Sequence, residues 1–144
     1  MLYKTDDELI ALLDDKSVKI GDTAAEILHE RDQKELVYSA LLNGYIKQKI
    51  GKIRALNILL RYGRTFPKAI KAYLKMINDK NGEVIDCALF GIVFWQDIKH
   101  LPTLKALKND ATQDRIDLAI TALKEQKPEI YSPYFRDRRG VWQM

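Results

Sequence analysis

The chain has 144 residues, 47% of them hydrophobic and 31% charged, with a net charge of +4. Seven glycines and four prolines are too few for a loop-rich β protein or a disordered chain, and the length suits one domain, residues 1–144, with a substantial core. One cysteine excludes an internal disulfide, two histidines leave a Cys/His zinc site short of ligands, and no apolar run nears the roughly 20 residues that span a bilayer.

Taken in chain order, apolar periodicity and capping residues predict nine helices. The first, near 5–15, opens on Thr5-Asp6-Asp7-Glu8, a capping-box spacing in which a threonine oxygen and a glutamate satisfy otherwise orphan amides. The same acidic run stands where a signal peptide would need a basic start and an apolar stretch, so a cytoplasmic protein is expected. A second helix, near 23–31, is predicted from the similar spacing Thr23-Ala24-Ala25-Glu26. Further helices follow near 34–46, 50–62, 66–78, 83–95, 99–108, 112–125 and 128–136. Thr65 and Pro67 mark one start, and Pro102 and Pro128 suit first-turn positions. Gly44, Gly63 and Gly82 are placed at helix ends, where a residue without a Cβ relieves a left-handed conformation. Val84 to Trp95 is apolar almost all round and needs cover on more than one side; its β-branched residues leave a buried strand pair as the alternative.

Rows of 31 residues bring these segments into register. Ala25, Leu56, Cys87 and Leu118 share a column, as do Ile27, Ile58, Leu89 and Ile120. Leu42, Tyr73, Leu104 and Phe135 coincide in the second half of each row, and Pro102 falls opposite Pro133. Two apolar-periodic stretches per row, separated by a polar break, describe a helical hairpin. The expected fold is all-α: an α-solenoid of about four stacked hairpins after an N-terminal helix, with 136–144 a C-terminal tail or cap.

The run Leu101-Pro102-x-Leu104-x-x-Leu107-x-x-Asp110, followed by Asp114-Arg115 and Ala119-x-x-Ala122-Leu123, resembles the HEAT-repeat pattern of the armadillo-type helical-repeat proteins. Leu74, Asn78-Asp79, Glu83-Val84 and Ala88 are similar one row earlier. The resemblance covers roughly residues 20–135 and is clearest in the last two rows, although 31 residues is shorter than the usual ~40–47. It implies a scaffold that binds along a concave or terminal surface. Some HEAT-like proteins are DNA glycosylases that use an aspartate in a groove; Asp86 and Asp117 share a column here, but that motif is not matched residue by residue. An aspartate in the first turn of a helix ordinarily complements its dipole.

Charge is segregated along the chain. Residues 1–46 hold five Lys/Arg and ten Asp/Glu, residues 47–80 hold ten against Asp79 alone, and residues 81–144 hold nine of each. Arg61, Arg64, Lys68, Lys71 and Lys75 form the centre of the basic band and are candidate partner-binding residues, with Lys68, Lys71 and Lys75 on one helix face. A solvated face is the plainer account of those lysines. Tyr134, Arg136, Arg138, Arg139 and Trp142 mix aromatic and guanidinium groups as binding hot spots do, or else cap the last hairpin. No Gly-rich phosphate loop, G-x-S-x-G or H-E-x-x-H is present, and Cys87 reads as a small buried hydrophobe.

No catalytic residue, metal or cofactor is therefore expected. The leading reading is a non-enzymatic protein that docks a partner protein through its solenoid surface. Compact binders of this kind look like bacterial immunity proteins or antitoxins, some of which have HEAT-like folds and act by occluding a toxin. Two alternatives stand beside it: nucleic-acid binding through the band 47–80, and a structural adaptor.

Overall fold

The computed structural model describes residues 1–95 and 98–131. All regular structure among them is helical, with no strand. In order the helices are α1 (Asp6–Leu12), α2 (Val18–Glu30), α3 (Lys34–Leu42), α4 (Lys49–Tyr62), α5 (Ile70–Met76), α6 (Gly82–Phe94), α7 (Leu101–Ala106) and α8 (Gln113–Lys124). Short 3-10 turns lie at Gly63–Thr65, Pro67–Ala69, Ile98–His100 and Pro128–Ile130. The long helices α2, α4, α6 and α8 open at Val18, Lys49, Gly82 and Gln113, so the sequence period survives with a slight stretch in its middle. None of these helices is long and apolar enough to cross a membrane.

Eight of the nine expected helices appear, with several ends moved for local reasons; the ninth, near 128–136, is a 3-10 turn at Pro128–Ile130, and residues 132–136 lie outside the described residues. Helix α2 starts five residues before Thr23, because the Ser17 hydroxyl accepts from the Ile20 amide and Thr23 then lies inside the helix, with no orphan amide to cap. Thr5 and Glu8 do form the reciprocal capping box, and the Thr5 amide holds the Glu8 carboxyl below its ordinary range. Gly82 begins α6 instead of ending a helix: Asn81 Oδ1 accepts from the Glu83 and Val84 amides and fixes the start there. Gly44 and Gly63 do end helices, at φ of 75° and 55°. Asp32 and Gln126 adopt the same positive φ just past α2 and α8, a conformation that costs a residue with a Cβ.

The chain divides into two compact units, Met1–Ile85 and Asp86–Met144, with the division inside α6. In the first, α1 packs on α2, α2 on α4, and α3 on both α4 and α5. Leu9, Leu13, Leu28, Leu41, Leu56 and Leu59 are fully buried between them, each worth about 1.5–3 kcal/mol of transfer free energy.

A reciprocal clasp joins α4 to the turn between α1 and α2. Asp14 accepts from the Lys47 and Gln48 amides at 2.9 and 3.0 Å, capping the start of α4. In return the buried Arg54 guanidinium donates to the carbonyls of Leu13, Asp15 and Ser17 and to Asp22 Oδ1, at 2.7 to 3.2 Å. Both arms need glycine inside a helix. A Cβ on Gly21 would stand 2.0 Å from Arg54, and one on Gly51 would stand 1.9 Å from Asp14.

In the second unit α7 packs on α8, and α8 on the 3-10 turn at Pro128–Ile130. Residues 84–93 are buried without a break, in a helix and not a strand pair. Asp86 does more than complement a dipole: its Oδ1 accepts from the Tyr131 hydroxyl and meets Arg115 Nε, both at 3.0 Å. The Tyr131 ring, fully buried, stacks on Phe90 at 6.4 Å.

Candidate docking surface

Arg31, immediately after α2, determines how the first residues lie. Its guanidinium donates to the Leu2 and Lys4 carbonyls at 2.8 and 2.9 Å and to Asp6 Oδ1 at 2.9 Å. The Lys4 amide closes a turn onto the Met1 carbonyl. This clamp leaves apolar side chains in solvent: Leu2 is 70% exposed and Tyr3 fully so. Isolated exposed leucines need no explanation, but a contiguous apolar segment held in place is a feature of interaction sites.

The segment forms one wall of a hollow of about 640 Å3, whose other wall is α2, lined there by the buried Ile27 and by Asp22, Glu26 and Glu30. Asp22 and Glu26 also border a second hollow of about 330 Å3 between α2 and α4, which adds Asn57, Ile58, Arg54 and Arg61. The two hollows thus share a rim and run across the exposed face of α2. Arg54 and Arg61 pair with Asp22 and Glu26 at 2.9 and 3.0 Å, while Glu30 is exposed and makes no ion pair among the described residues. The face is apolar with an acidic border.

The basic band is placed differently from a free cationic patch. Arg61 is committed to Glu26, and Lys68 to Glu35 at 2.6 Å while lying over the Tyr38 and Phe66 rings. Lys75 donates to the Leu41 and Leu42 carbonyls at the end of α3. Lys71 is exposed, as is Arg64 in the 3-10 turn at Gly63–Thr65. Lys34 sits 5.0 Å above the Tyr62 ring and bonds Asp32, lowering that carboxyl below its ordinary value. Burial, aided by Asp32, pushes the Tyr62 hydroxyl up to about 12. Tyr134, Arg136, Arg138, Arg139 and Trp142 lie outside the described residues.

Sequence reasoning therefore missed Leu2, Tyr3, Glu30 and the Arg31 clamp. The available signal was the apolar Met1-Leu2-Tyr3 ahead of a capped helix, a run that would ordinarily be buried or frayed. Among the described residues no group of His, Cys, Asp and Glu is arranged to hold a metal ion. Comparisons with protein-family models, with characterised proteins and with solved structures found no match to this chain.

Proposed function

We propose that this protein is a non-enzymatic HEAT-like stack of helical hairpins, and that it docks a partner protein on the exposed face of α2. The observation that carries the reading is the Arg31 clamp, which holds Leu2 and Tyr3 in solvent beside an acidic rim. Pre-ordering an apolar anchor lowers the entropy lost on association. The retained spacing of α2, α4, α6 and α8, and the packing of α2 on α4 and α3 on α5, support the hairpin-stack architecture. An apolar centre with an acidic border suits a basic protein surface. A toxin with a basic active cleft is one such partner, and filling that cleft would inhibit it, as immunity proteins and antitoxins do.

The test is capture from the cells that express the chain, with the wild type set against Leu2→Ser/Tyr3→Ser. Both sites are exposed, so the double variant should keep its helical circular dichroism. A basic protein bound one to one in moderate salt, and released by the double variant, is the expected result. Capture of the same proteins by both forms would contradict it.

A further inference from the structure

Beside the start of α4 lies a groove that the docking reading does not use. Its volume is about 580 Å3, and its lining consists of Lys47, Lys49 and Lys52 from the beginning of α4 and Asn78, Asp79, Lys80 and Asn81 from the α5–α6 loop. No aromatic or aliphatic residue lines it. The loop wall is fixed: Asp79 Oδ2 accepts from the Asn81 amide at 3.0 Å, and Asn81 in turn caps α6. Two lysines are partly neutralised, Lys52 by Asp79 at 2.6 Å and Lys49 by Glu83 at 3.1 Å. Lys47 and Lys80 make no ion pair among the described residues and carry the uncompensated charge.

We infer that this groove binds the phosphodiester backbone of a nucleic acid through Lys47 and Lys80, without reading its bases. The charge balance selects that class of anion. Two surplus positive charges match successive singly charged phosphates, whereas the Asp79 carboxylate in the lining repels a compact, highly charged polyphosphate. The absence of aromatic lining removes the stacking platform on which bases would be held. The side-chain amide of Asn78 and the two surplus ammonium groups offer donors to phosphate oxygens, and Asp79 sets how much positive charge remains. This inference stands independently of the α2 surface.

Fluorescence anisotropy with a labelled oligothymidylate of about twelve nucleotides tests it. Binding should weaken with salt at a log–log slope near −1.4, which is about −0.7 for each of two phosphates on a single strand. An oligoadenylate of equal length should bind within about twofold. Lys47→Glu/Lys80→Glu should weaken binding by about tenfold or more, and Lys71→Glu, an exposed lysine outside the groove, should leave it nearly unchanged. Asp79→Asn keeps an oxygen for the Asn81 amide while releasing Lys52, and should tighten binding. Equal losses in the groove double variant and in Lys71→Glu would reveal general electrostatic attraction and overturn the inference. Displacement of the oligonucleotide by stoichiometric tripolyphosphate, or absence of binding at low salt, would overturn it as well.

Discussion

Glycine inside a helix normally weakens it by roughly 0.5–1 kcal/mol relative to alanine. Gly21 and Gly51 reverse that sign, because Arg54 and Asp14 occupy the space where a methyl group would go. Gly21→Ala should therefore destabilise the protein by about 1–3 kcal/mol, the usual cost of overpacking. Arg54→Ala should cost about 3 kcal/mol by stripping three carbonyls and Asp22 of their donor. In the Arg54→Ala background, Gly21→Ala should become neutral or stabilising, a non-additivity that urea denaturation of the four forms would measure. Additive losses would mean that the guanidinium does not fill that space. Tyr62 gives a second check at this scale. Its hydroxyl titrates near 12 when folded and near 10 when unfolded, so the fold retains a proton that the unfolded chain gives up. Stability from this group is complete below about pH 10 and is lost as pH rises towards 12. Tyr62→Phe should flatten that part of the stability–pH curve, and an unchanged slope would show that the hydroxyl is not shielded.

At the scale of helices, the acidic first third and the basic middle of the chain neutralise each other across neighbouring elements. Asp22 meets Arg54, Glu26 meets Arg61 and Glu35 meets Lys68, each pair joining the 1–46 segment to the 47–80 band. The charge segregation was legible in the sequence, and its consequence was not. Counting charges cannot show which carboxylate a lysine will face, since that depends on how the helices pack. Helix order, the spacing of the long helices, the Thr5 cap and the burial of Leu56 and Leu89 could all be read from periodicity and local chemistry. The start of α2 could not, because Ser17 and Thr23 both offer a capping hydroxyl and only packing against α1 and α4 favours the longer helix. The clasp escaped for the same reason, as Arg54 reads as one more cation of the band until its carbonyl partners are known. The pairs also differ in worth. Lys52→Met leaves Asp79, 11% exposed, without its cation and should cost about 1–3 kcal/mol. Arg61→Met breaks a half-exposed pair and should cost less than about 1 kcal/mol. Thermal denaturation in parallel would rank them, and equal losses would refute a distinction based on burial.

Across the whole molecule, function rests on surfaces that fold-level patterning leaves open. The 31-residue period pointed to stacked hairpins, yet nothing in it distinguished the face of α2 from any other exposed helix face. The distinguishing features are non-local: Arg31 reaches 29 residues back in sequence to Leu2 and turns an apolar start into an ordered anchor. Arg31→Ala should accordingly weaken partner binding while changing stability by only about 1 kcal/mol, because its bonds are largely solvent-exposed. Hydrogen–deuterium exchange on the captured complex tests the central claim most directly. Protection on binding should concentrate at residues 1–6 and 18–30 and extend to the 57–61 stretch of α4. A footprint confined to 98–131, or to the Lys47–Lys80 groove with residues 1–30 unchanged, would contradict the proposed docking face.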